Sequence, residues 1–85
     1  MSNAVETVEK EDLRVTLAGV IDVEPQQVAD DTEFTTDLGV DSLMALEVVV
    51  VLERRYGVKF TEDEMRTVTT LDAAHQLLLA KTAGR

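Results

Sequence analysis

Cysteine and tryptophan are absent from this 85-residue chain, proline occurs once, and the aromatic residues are one tyrosine and two phenylalanines. Without cysteine there is no disulfide framework, no thiolate metal site and no cysteine nucleophile. The four glycines, Gly19, Gly39, Gly57 and Gly84, are scattered, so no glycine-rich loop can cradle a phosphate. One histidine, His75, sits beside Ala74 and close to Leu78 on an apolar helical pattern, where an imidazole is far more often packed than catalytic. No apolar run is long enough to span a bilayer. The first residues lack the basic and apolar regions of a signal peptide. Residues 1–6 read as a flexible terminus or a tag remnant, residues 7–82 as one small domain, and residues 83–85 as a tail.

Basic residues are missing from one long stretch. Residues 15–53 contain nine acids and no Lys or Arg, whereas the remainder of the chain balances eight acids with eight bases. The whole net charge of −9 therefore belongs to that stretch. Such a field repels nucleic acid and anionic membrane and attracts basic protein surfaces. It does not build a calcium loop. In the registers starting at Asp30 and Asp37, the alternate positions fall on Thr32 and Phe34, or on Gly39, Asp41 and Leu43.

Apolar periodicity predicts an all-α fold with four helices. The first covers about residues 7–21, with Leu13, Leu17, Val20 and Ile21 on its core face and Val23-Glu24-Pro25 ending it. A long connection, 22–41, follows. It is expected to make one turn near Pro25 and to be pinned by Val28, Phe34 and Leu38. The second helix spans about residues 42–56 with Gly57 as its C-terminal cap. A short third helix follows Thr61, whose spacing to Glu64 fits a capping box, and Thr70 caps the last helix, about 71–81. That last helix carries its apolar stripe on Leu71, Ala74, Leu77 and Leu78. Four consecutive valines, Val48 to Val51, have strand propensity, but the unbroken fifteen-residue segment around them favours helix.

The second helix bears two apolar stripes. Ala45, Val48, Val49, Leu52 and Tyr56 are assigned to the core. Leu43, Leu46 and Val50 form a second stripe, flanked by Glu47 and by Glu53 or Arg54, that suits a transient partner or else lies buried in a central helix. Ser42 stands at the start of this helix. It either caps the helix, or leaves the cap to Asp41 and keeps its hydroxyl free on the first turn. A phosphate esterified there would face free backbone N–H groups and the positive end of the helix dipole.

The run Asp37-Leu38-Gly39-Val40-Asp41-Ser42-Leu43-Met44-Ala45-Leu46-Glu47 resembles the phosphopantetheine attachment motif of acyl carrier proteins. The resemblance extends over nearly the whole chain through the apolar first helix, Phe34 and the Thr69-Thr70 pair. It implies a small four-helix bundle: three longer helices, a short third one, and a long loop between the first two. It implies a non-catalytic carrier with 4′-phosphopantetheine, derived from coenzyme A, attached at Ser42 and flanked by Asp41 and Leu43. The arm's thiol would hold an acyl group as a thioester, with shelter expected between the second and third helices. Leu43, Leu46, Glu47, Val50 and Glu53 match the family's partner-docking surface. The implied partners are a carrier protein synthase (a phosphopantetheinyl transferase) and a ketosynthase, acyltransferase or other acyl-processing enzyme, met by a cytoplasmic monomer. Met44 and Ala45 after Asp-Ser-Leu, and Arg54 and Arg55 where fatty acid carriers are often acidic, resemble polyketide-type carriers. Val40 after Gly39 disfavours a peptidyl or aminoacyl carrier, the alternative that shares the arm. An unmodified acidic helical adaptor is the alternative without one.

Overall fold

A computed structural model describes residues 8–83. Five α-helices occur among them: α1 (Lys10–Ile21), α2 (Phe34–Leu38), α3 (Ser42–Tyr56), α4 (Glu62–Thr67) and α5 (Leu71–Thr82). A 3-10 turn at Pro25–Gln27 lies between α1 and α2. The four expected helices are α1, α3, α4 and α5. Because α2 is a short addition inside the expected long connection, the bundle keeps the anticipated layout.

The core follows from the apolar stripes. Leu13, Leu17, Ala18 and Ile21 of α1 meet Val48, Val49 and Leu52 of α3 and Leu71, Ala74 and Leu78 of α5, all buried. Ala45 and Tyr56 of α3 and Leu77 of α5 pack at the edge of that cluster. Val28 and Phe34 are buried and Leu38 packs against the core, so the long connection is pinned where its apolar spacing predicts.

The start of α1 differs from the sequence expectation, while its end at Ile21 agrees with it and differs only in what causes the stop. The helix begins at Lys10, with Val8 and Glu9 non-helical, while Thr7 lies outside the described residues. Its end is set by Asp22, which adopts a left-handed conformation (φ 67°) and donates its N–H to the Ala18 carbonyl. Asp tolerates that conformation better than most residues. The stop therefore comes before the proline-restricted Glu24. Glu24 serves instead as N-cap of the 3-10 turn, in a capping box closed by Gln27.

Ion pairs fasten the connection to the bundle. Arg14 of α1 donates to Glu11 (3.0 and 2.9 Å), to Asp30 (2.8 Å) and to the Val28 carbonyl. Lys10 donates to Asp30 (3.2 Å) and to Asp72 (2.8 Å), and the Asp72 N–H donates to the Asp30 carbonyl (3.0 Å). Asp30 is thereby held by two cations from α1 and bonded to the first turn of α5. Of the nine acids in the base-free stretch, this one is neutralised by bases outside it.

Candidate functional site at the start of α3

The chain enters α3 through a sequence in which each residue has a distinct task. Gly39 closes α2 with φ 67°, a conformation natural to glycine, and donates its N–H to the Phe34 carbonyl. The next N–H, from Val40, reaches the same carbonyl at 3.0 Å. The Val40 side chain is buried and so anchors the entry point. The Phe34 N–H in turn donates to the Thr69 carbonyl (2.9 Å), which ties α2 to the segment before α5. Asp41 then caps α3, its carboxylate accepting from the Met44 N–H at 2.9 Å and its carbonyl from Ala45 at 2.9 Å.

Of the two capping arrangements open from sequence, the structure adopts the one that frees Ser42. Ser42 is the first helical residue, is exposed, and its hydroxyl makes no hydrogen bond among the described residues. The N–H groups of Ser42 and Leu43 likewise take no acceptor there. An ester phosphate on Ser42 therefore fits: it meets open space, unpaired donors and the positive end of a fifteen-residue helix. Asp37 and Asp41 nearby oppose the capture of a free anion, but a covalent bond does not depend on affinity. The Asp41 carboxylate is engaged by Met44, and His75 donates from Nε2 to the Val8 carbonyl (2.8 Å).

Along α3 the second apolar stripe is solvent-facing. Leu43 is 71% exposed, Leu46 51% and Val50 38%. The helix is therefore not buried all round. Together with Glu47 and Val51 of α3 and Val20 of α1 they line an open groove of about 460 Å³. Val20, counted from sequence with the core face of α1, is half-buried: it packs against the core and also forms part of this groove. Glu47 is exposed and has no partner among the described residues.

Glu53 does not join this group. It is half-buried, and its carboxylate accepts from the Phe60 N–H at 2.8 Å, fastening the end of α3 to the segment before α4. Helix position explains the divergence: Glu53 lies at the border of the exposed stripe, near enough to the α4 side to satisfy a backbone donor there. Arg55 is also structural. It donates to Asp12 of α1 (3.2 and 2.6 Å), whose carboxylate also accepts from the Tyr56 hydroxyl (2.9 Å). The Arg55 guanidinium, and then the Tyr56 hydroxyl, hold the Asp12 carboxyl below the usual carboxylate range, while burial pushes the Tyr56 phenol up. Arg54 is exposed at the far end of the stripe.

Comparison with known proteins gives a consistent picture. The family described as "Phosphopantetheine attachment site" matches residues 11–78. Polyketide-8 synthase acyl carrier protein 2 of Streptomyces avermitilis is 47% identical over 73 residues, covering 86% of this chain and 84% of that protein. An acyl carrier protein of a Bradyrhizobium species is 38% identical over 56 residues, covering 66% of this chain and 71% of its own length. Among solved structures, oxytetracycline acyl carrier protein superposes with a TM-score of 0.73 at 29% identity, covering 92% of this chain and 85% of that one. Acyl carrier protein from Enterococcus faecalis gives 0.71 at 26% identity, covering 87% and 99%.

Proposed function

The chain belongs to the phosphopantetheine attachment family and is an acyl carrier protein, and from that premise we propose that Ser42 is its attachment residue and the exposed face of α3 its docking surface. The observation that carries the assignment of Ser42 is the division of labour at the helix start. Asp41 holds the cap, so the Ser42 hydroxyl is left exposed and unbonded. When bound, the 4′-phosphopantetheine arm supplies a thiol that holds an acyl group as a thioester. The chain's own residues present the hydroxyl, orient it through a fixed helix start and offer two free N–H donors. As a carrier, the chain leaves the transfer chemistry to a carrier protein synthase.

Leu43, Leu46 and Val50, with Glu47 on their rim, form a docking face for enzymes that load or process the cargo, such as a ketosynthase or acyltransferase. A small apolar patch beside acids supports fast, salt-sensitive encounter and ready release. The similarity to the Streptomyces avermitilis polyketide carrier supports a polyketide pathway over fatty acid synthesis.

Intact mass after incubation with coenzyme A and a phosphopantetheinyl transferase tests the attachment. The expected result is a gain of one phosphopantetheinyl group, abolished in Ser42→Ala. No gain from a transferase shown to be active on another carrier protein, or a gain that persists in Ser42→Ala, overturns the assignment.

A further inference from the structure

Bases are scarce in this chain, where acids outnumber them by 17 to 8. Lys10, Arg14, Arg55, Arg66 and Lys81 each pair with a carboxylate. Arg54 and Lys59 do not. Both are exposed, and neither makes a hydrogen bond, ion pair or ring contact among the described residues. Glu53, beside Arg54 in the chain, is committed elsewhere. Its carboxylate accepts from the Phe60 N–H at 2.8 Å, and its carbonyl accepts from Gly57 and from Val58 at 3.1 Å. These bonds fold the segment that carries Lys59 back against the last turn of α3, so the two free cations share the end of that helix. A cation in the last turn suits the helix dipole. That explains one base at this end but not Lys59, which lies beyond the Gly57 stop.

Arg54 also continues the exposed stripe. It stands one turn after Val50 and three turns after Leu43, on the same helical face. At the opposite end of the stripe are Asp41, whose carboxylate caps the helix, and the unpaired Glu47. The rise from Glu47 to Arg54 is about 10 Å. Along α3 the face therefore runs from acid, through aliphatic residues, to base. An apolar stripe alone fits a partner in either direction along the helix, whereas opposite charges at its two ends admit one.

We propose that Arg54 and Lys59 form a cationic end of the docking face that pairs with an acidic patch on the partner enzyme, so that the partner carries base and acid about 10 Å apart and docks in one direction. The inference rests on the docking face proposed above. It also gives a ground for rejection: a partner whose docking strip is basic throughout meets like charge at Arg54 and Lys59. A second copy of this chain is a poor occupant, because two molecules of net charge −9 repel each other.

The test loads Ser42 with octanoyl-phosphopantetheine, verifies the product by mass, and follows transfer of the octanoyl group to two ketosynthases. One comes from a polyketide synthase and has acids on its docking strip; the other comes from fatty acid synthesis and has a strip that is basic throughout. Arg54→Glu/Lys59→Glu is expected to raise KM for the first about tenfold with kcat unchanged, and to lower KM for the second. Both effects should fade in about 0.5 M salt. Arg54→Gln/Lys59→Gln, which removes charge but keeps helix propensity, is expected to give smaller changes of the same sign, with the fold of each variant checked by its melting temperature. Lysine in place of the facing acid on the first ketosynthase should restore KM for the charge-reversed chain. The inference is overturned if both double variants leave KM unchanged, if KM rises equally for the two enzymes, or if the wild-type chain self-associates and the glutamine variant does not. Leu46→Asp separates the two readings. Transfer that survives Leu46→Asp removes the docking face itself, whereas transfer lost in Leu46→Asp but indifferent to the charge reversals removes this inference alone.

Discussion

Asp41 and Ser42 are neighbours with opposite sensitivities to substitution. Asp41 satisfies the Met44 N–H at the head of the longest helix. Loss of an N-cap side chain costs about 0.5–2 kcal/mol, so Asp41→Ala is expected to lower the melting temperature by several degrees. The Ser42 hydroxyl makes no hydrogen bond among the described residues, and exposed substitutions away from such features usually stay within about 0.5 kcal/mol. Ser42→Ala should therefore keep the wild-type melting temperature while losing the modification. Thermal denaturation of the two variants side by side checks both expectations. A large loss in Ser42→Ala would mean that the hydroxyl has a structural bond after all. Gly39 and Gly57 share the left-handed conformation (φ 67° and 66°), and both sit where a helix stops.

Between elements, charged side chains do the fastening. Asp30 joins α1 to α5 through Arg14, Lys10 and the backbone of Asp72, Asp12 joins α1 to α3, and Glu64 joins α4 to α5 through Lys81 at 2.7 Å. Their cationic partners hold all three carboxyls below their ordinary range: Arg14 and then Lys10 for Asp30, Arg55 for Asp12, Lys81 for Glu64. A carboxyl with a depressed folded pKa contributes stability that is present above its unfolded value, about 4, and is lost as pH falls through the folded value. The stability difference between wild type and Asp30→Asn should accordingly be full above about pH 5 and close as the pH drops below about 4. Urea unfolding of both proteins across that range measures it, and a gap independent of pH would show that the carboxylate's charge contributes nothing. These groups are largely solvent-exposed, so each pair is worth little and the network acts by holding the connection in place.

At the scale of the molecule, the acidic field is narrower than its sequence suggests. Asp30 is paired and the Glu53 carboxylate is bonded to a backbone donor. Asp22, Glu24, Asp31, Glu33, Asp37, Asp41 and Glu47 remain without a cationic partner among the described residues. Their mutual repulsion is screened by salt, with a Debye length of about 10 Å at 0.1 M and 3 Å at 1 M. Added sodium chloride, or a lower concentration of a divalent cation, should raise the melting temperature. A melting temperature that falls with salt would mean that the ion pairs of Asp12, Asp30 and Glu64 outweigh the repulsion. Among the described residues no helix is long and apolar enough to cross a membrane.

The features legible in the sequence are those whose partners lie within one or two helical turns. The Thr61–Glu64 capping box, the Thr70 cap, the Gly57 stop and the span of α3 all depend on residues three or four apart, so local spacing was enough to specify them. The apolar stripes chose the core for the same reason. What only tertiary structure decided depends on residues far apart along the chain. The short helix α2 is held by the Thr69 carbonyl, thirty-five residues from Phe34 and beyond the reach of any local pattern. The turning of Glu53 toward Phe60 depends on where the segment after α3 passes. The placement of Val20 opposite Val50, which makes an exposed stripe into a groove, depends on how α1 crosses α3. The proposed anchor, Ser42, was thus readable from its neighbours, while the surface around it exists only once the helices pack.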